Sequence, residues 1–193
     1  VRWVKMLMSV FRFLIVAVFG VFTLTGFSAG IEWQTLTDES MALTQKGEFE
    51  RAEVLSQKAL ALAAISAASD PITLAQSFAY LGTLQVRLQK LAEAAVNFKS
   101  ALRIFEAELP FGHDDVVLLV TALATLYEHQ MQLEFALPYY QKLLAIQERK
   151  HGQEHFNVVP ALIQLARCYL GVESAVAARL AGRAVVITEK NFG

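Results

Sequence analysis

Between Gly47 and Ala63, small and apolar residues fall at Ala52, Leu55, Ala59 and Leu62, in steps of three and four. The spacing returns at Ala94, Phe98, Ala101, Leu102 and Phe105. Such steps place one apolar stripe along an α-helix, whereas a half-buried strand would alternate every second residue. Polar or glycine-containing breaks at Gly47, Gln89-Lys90, Gln130-Met131 and Gly171 cut the pattern into short helices. No stretch shows alternating β-branched residues bounded by turn signals, so the pattern predicts an all-α chain after its first thirty residues.

The helices recur as a unit. Leu81, Leu123 and Leu165 lie 42 residues apart, and each is followed by a small residue: Gly82, Ala124 and Ala166. The same offset relates Tyr127 to Tyr169, Ala94 to Ala136, Phe98 to Tyr140, Leu102 to Leu144 and Ile104 to Ile146. Upstream, Ala52, Ala59 and Leu62 precede Ala94, Ala101 and Ile104 by 42, while in the last unit Ala177 and Ile187 follow at 41. Four two-helix units are therefore predicted, at about 31–69, 70–111, 112–151 and 152–193. A single pair of helices cannot bury its apolar face, but stacked pairs share a continuous core. The expected fold is an α-solenoid preceded by an N-terminal hydrophobic helix.

Composition changes the reading mainly at the front. Hydrophobic residues make up 55% of the 193 and charged residues 18%, and much of the apolar excess lies in residues 13–31, which carry no charge. Arg2, Lys5 and Arg12 precede that run, and Ser28, Ala29 and Gly30 close it. The layout predicts a signal peptide or a membrane anchor over 1–30, with residues 31–193 exported to a periplasmic or membrane-tethered position. The body after it holds 14 basic and 18 acidic residues, a net −4, which disfavours nucleic-acid binding by charge. Cys168 is the single cysteine, which excludes an internal disulfide and fits no zinc framework.

The polar clusters repeat as well. His113-Asp114-Asp115 invites a hydrolase reading, but His113 and His155 lie 42 apart, as do Asp115 and Asn157, with Asp70-Pro71 and Thr73 as the counterpart one unit earlier. Such residues satisfy free N–H groups at helix starts, and the clusters are read as boundaries, with Gly112 and Gly152 ending the preceding helices. His151 and His155 have the i, i+4 spacing of a zinc helix, yet Gly152 interrupts it and no third ligand is evident. Neither metal nor cofactor is expected, and no catalytic constellation stands out.

A Leu-small pair, a Tyr three or four residues later, an Ala opening the second helix and an aromatic four after it form a pattern that resembles the tetratricopeptide repeat. The 42-residue period, the ending Ile146-Gln147-Glu148, the stretch Gly152 to His155 and the valines Val116 and Val158 resemble its kinesin-light-chain type. The resemblance implies a right-handed α-solenoid and a non-enzymatic scaffold that holds a peptide or partner protein in a concave groove lined by the first helix of each unit. Carried over position by position, the implied groove is Ala79, Thr83, Arg87, Thr121, Thr125, Glu128, His129, Ile163, Gln164, Arg167 and Leu170. Arg87, His129 and Arg167 on one surface suit an acidic group. Where that family has paired asparagines, this chain has Ala79-Tyr80, Thr121-Ala122 and Ile163-Gln164, so a more apolar contact is expected. Val185, Val186 and Ile187 form an apolar face on the last unit, which raises a second reading: self-assembly through array ends, giving a homo-oligomer.

Overall fold

The computed structural model describes residues 30–66, 70–170 and 172–192, and among these it is helical with short connections and no strand. Residues 1–29, which hold the apolar leader, and the break at Gly171 lie outside the described residues. The helices are α1 (30–45), α2 (Phe49–Ile65), α3 (Pro71–Arg87), α4 (Leu91–Glu108), α5 (Asp114–His129), α6 (Leu133–His151), α7 (Val159–Tyr169) and α8 (Ser174–Phe192), with a 3-10 turn at Phe156–Val158 before α7. Among the described residues no helix is long and apolar enough to cross a membrane. The described residues divide into two compact units, unit 1 ending at Ser77 and unit 2 beginning at Phe78, with the boundary inside α3.

In unit 1, α1 and α2 meet through hydroxyls. Ser40 Oγ donates to the carbonyl of Ala52 at 2.8 Å and lies 2.8 Å from Ser56 Oγ, with both serines buried. Buried hydroxyls are tolerated when each finds a partner, and here they are one another's.

Unit 2 packs successive helices against their neighbours, α4 on α5, α5 on α6, α6 on α7 and α7 on α8. The aligned residues form its core. Leu81, Leu123, Leu165, Ala94, Ala136, Ala177, Phe98, Tyr140, Ile104, Ile146 and Ile187 are all buried. Each Leu or Ile so placed contributes about 1.5–3 kcal/mol relative to an exposed side chain. Gly82 shows why a small residue follows the leucine. A Cβ there would sit 2.8 Å from two ring carbons of Phe98 and 3.3 Å from the Ala94 carbonyl oxygen, so only glycine lets α3 and α4 approach this closely. The equivalent position is Ser40 opposite Ser56 in unit 1, and Ala124 with Tyr140 as its aromatic counterpart in the next repeat. Of the expected apolar face at the last repeat, Ile187 instead belongs to the core with Val158, Val159, Leu162 and Ala184, and Val185 and Val186 remain exposed.

The turn within each of the first three helix pairs is built from one geometry. Gly47, Gln89 and Met131, spaced by 42, all adopt left-handed backbone, with φ of 79°, 60° and 59°. The N–H groups of Glu48, Lys90 and Gln132 bond back to the carbonyls of Leu43, Gln85 and Tyr127 at 3.0, 2.8 and 2.9 Å. Those of Gly47, Gln89 and Met131 reach Thr44, Val86 and Glu128. This double closure satisfies the last carbonyls of the first helix, and the following residue at once begins the second. In the last pair, Glu173 N–H bonds to Tyr169 at 2.9 Å, one residue shorter, which matches the 41-residue offset.

One expected helix stop moves. Gly152 does end α6, donating to Glu148 O at 2.8 Å with φ of 96°, but Gly112 does not end α4. That helix stops at Glu108, because Pro110 drives Leu109 into extended backbone, φ −109° and ψ 153°. Gly112, at φ 74°, instead shapes the tight turn leading to His113.

Replacing Gly82 by Val forces a branched side chain into the Phe98 ring. The variant is expected to lose about 2–3 kcal/mol of stability by overpacking, measured by urea denaturation of the full chain. Pairing it with Phe98→Ala should cost less than the sum of the two single changes. Strict additivity would show that the two residues do not meet.

Candidate partner-binding groove

The first helices of successive pairs in unit 2 are the 78–87 part of α3, then α5 and α7. None of the eleven implied groove residues is fully buried, although the Glu128 side chain is only 18% exposed. Four of them, Thr83, Arg87, Thr125 and His129, surround one cleft of about 690 Å³, together with Val86, Gln89, Leu91, Phe98, Ala122 and Leu126. Its floor is apolar, its rim carries Arg87 and His129, and no carboxylate lies among its lining residues.

The threonines here offer oxygen, not protons. Thr83 Oγ donates to Ala79 O at 2.9 Å, Thr125 to Thr121 O at 2.9 Å, and Thr121 to Val117 O at 2.8 Å. A hydroxyl has one proton, so each leaves lone pairs and a methyl for a ligand. Donors in the cleft come from Arg87, His129 and Gln89, which suits an acceptor-rich or anionic group entering at the rim.

The rest of the implied groove is arranged differently. Arg167 Nη1 pairs with Glu128 Oε1 at 2.6 Å and donates to Gln164 Oε1 at 2.8 Å. Tyr140 Oη donates to the other Glu128 oxygen. Burial first, and the Glu128 hydrogen bond second, push the Tyr140 phenol well above its ordinary value. Of the three donors expected on one surface, Arg87 and His129 line the same cleft, while Arg167 is paired with Glu128. Ile163 and Leu170 are exposed on α7.

Side chains that the sequence did not assign to the groove form the cleft floor. Phe98 comes from a second helix and reaches the floor at the level of Gly82, where no side chain stands in its way. Its aromatic-opposite-glycine pairing was the available signal.

The polar clusters sit at helix starts. His113 caps α5 by accepting the Asp115 N–H on Nδ1 at 3.3 Å, and His155 accepts the Asn157 N–H at 3.2 Å with nearly the same backbone. Asp70 accepts the Thr73 N–H at 3.0 Å. The imidazole itself is thus the cap at two of the three starts. Asp114 pairs with Lys150 at 3.1 Å, and that ammonium lowers its pKa. His151 and His155 stack with centroids 5.0 Å apart despite the interruption at Gly152, and no group of three or more His, Cys, Asp or Glu suited to a metal occurs among the described residues. Cys168 is buried, and burial followed by the nearby Glu128 charge raises its pKa, which keeps it a thiol.

Comparison with known proteins fits the repeat fold. The model of the tetratricopeptide repeat matches residues 116–189. No curated protein sequence matches the chain. Among solved structures, BtubC (BKLC) from P. vanneervenii aligns over 81% of this chain at 23% identity and a TM-score of 0.62, and the chain spans 62% of it. A Podospora anserina kinesin light chain of nearly identical TPR-like repeats aligns over 83% at 20% identity, covering 76% of that chain, with a TM-score of 0.69. MamA from RS-1, as a double mutant, aligns over 83% at 15% identity, covering 78% of that chain, with a TM-score of 0.58.

If His113 and His155 serve as caps, His113→Ala and His155→Ala should each lower stability by about 1 kcal/mol, and His113→Asn should restore most of it. Thermal unfolding followed by circular dichroism checks this. A stability unchanged by both alanine variants would remove the capping role.

Proposed function

Given the tetratricopeptide-repeat fold, we propose that the chain is a non-catalytic scaffold that holds an extended segment of a partner protein in the groove of unit 2. The repeat family is generally non-catalytic and mediates protein–protein contacts. The observation that carries the reading is the cleft between α3, α4 and α5, where an apolar floor of Val86, Leu91, Phe98 and Leu126 is rimmed by Arg87 and His129. A peptide that places a carboxylate at that rim and small apolar side chains on the floor satisfies both. The eleven groove positions are part of this proposal, as is an exported or membrane-anchored location set by the charge layout of residues 1–30.

Selection of displayed random heptapeptides on the full chain should enrich Asp, Glu or a free C-terminus beside Ala, Val or Leu. Reversing the rim charge with Arg87→Glu should weaken the selected peptides at least about tenfold, the scale of one charge-assisted hydrogen bond. Equal binding by this variant would exclude the cleft as the site.

A second reading has its own observation. Val185 and Val186 are 54% and 62% exposed on α8, and Phe192 is 70% exposed. Self-association through this surface is tested by sedimentation over a dilution series. Concentration-dependent mass abolished by Val186→Asp supports it, and a monomer at all concentrations excludes it.

A further inference from the structure

The 42-residue register sets two inter-repeat sites side by side for comparison. Between the second and third repeats the positions are Val86, Phe98 and Thr125, and all three line the cleft. Between the third and fourth, the equivalent positions are Glu128, Tyr140 and Arg167, and Glu128 accepts from both of the others. Three changes at matching places thus replace an apolar opening by a closed polar triad.

We propose that Glu128 is a built-in counter-anion that determines where an acidic ligand can bind: it occupies Arg167 and so confines capture of a carboxylate to Arg87 and His129. This rests on the groove reading above and names its register. The occupant is an extended partner segment whose acidic residue sits at the α3–α5 cleft and whose apolar residues continue toward Ile163 and Leu170.

The chemistry favours the internal anion. Both Glu128 oxygens are engaged, one by Arg167 and one by the Tyr140 hydroxyl, and the carboxylate side chain is only 18% exposed. A ligand carboxylate that took Arg167 would leave a largely buried Glu128 with the phenol alone. An anion that is buried and stripped of its counter-charge is costly, whereas the ligand pays no such penalty at Arg87. Tyr140 remains a donor throughout, since burial and Glu128 hold its proton. Among the described residues Arg87 is in no ion pair, and it is exposed at the cleft rim.

The test uses N-acetylated, C-amidated heptapeptides of Ala and Leu carrying one Glu, two Glu spaced by three residues, or matched Gln, with binding to the full chain read by fluorescence anisotropy. The wild type should prefer Glu over Gln, Arg87→Gln should abolish that preference, and Arg167→Gln should leave it intact. Glu128→Gln keeps the shape and an acceptor for Tyr140, and should bind the two-Glu peptide about tenfold more tightly by freeing one charge-assisted contact. Adding Arg167→Gln to it should cancel the gain.

No gain in folded Glu128→Gln, or a gain that survives the double change, overturns the proposal. So does an Arg167→Gln variant that loses the wild-type preference while still folded. If the wild type shows no Glu preference and Arg87→Gln changes nothing, the groove reading fails. A gain confined to Glu128→Gln and cancelled by Arg167→Gln would still support the role assigned to Glu128.

Discussion

Unit 2 depends on how closely its paired helices approach. Where α3 meets α4, glycine is the one residue whose missing Cβ leaves room for the Phe98 ring, since any added carbon would lie 2.8 Å from it. That single contact sets the separation of the two backbones, and the buried leucines and alanines on either side are sized to it. The equivalent crossings solve the same problem with different volumes. Ala124 and Tyr140 occupy those positions in the third repeat, and Ser40 and Ser56 in the first pair. At Ser40 and Ser56 a hydrogen bond takes the place of ring packing.

The approach is held by the turn. A helix must reverse within three residues to lay its successor alongside, and the left-handed residue at 47, 89 and 131 makes that reversal. Glycine accepts the conformation without strain, but Gln89 and Met131 adopt it at a cost. They tolerate it because two backbone bonds and the packing of the following helix fix the geometry around them. Gln89 also lines the cleft, so the strained turn places a polar side chain at the rim.

The repeat period, the helices and the core positions were legible in the sequence because one physical requirement is met again and again, and repetition exposes it. Leu81, Leu123 and Leu165 are buried as their alignment implies. The end of α4 was less legible, since the glycine at 112 resembled a stop while Pro110 two residues earlier imposed it through Leu109. The first crossing was also hidden: Ser40 and Ser56 carry no large-to-small signature. The groove was legible only by half. Register places residues on helices, but not which side chains bond across them, and pairing of Arg167 with Glu128 depends on the distance between α5 and α7.

The same register explains why the two inter-repeat sites differ. Phe98 and Tyr140 fill the same place in the core, and they differ by a hydroxyl. In the second repeat the ring ends in carbon, so the space above it stays apolar and Val86 and Thr125 border an opening. In the third the ring ends in a donor that must be satisfied when buried, and Glu128 takes the place of valine to accept it. A carboxylate so placed requires a cation, and Arg167 stands where the neighbouring repeat has threonine. One added oxygen in the core thereby accounts for the Glu128–Arg167 ion pair beside it, and the apolar cleft rimmed by Arg87 and His129 is the site where that sequence of requirements never begins.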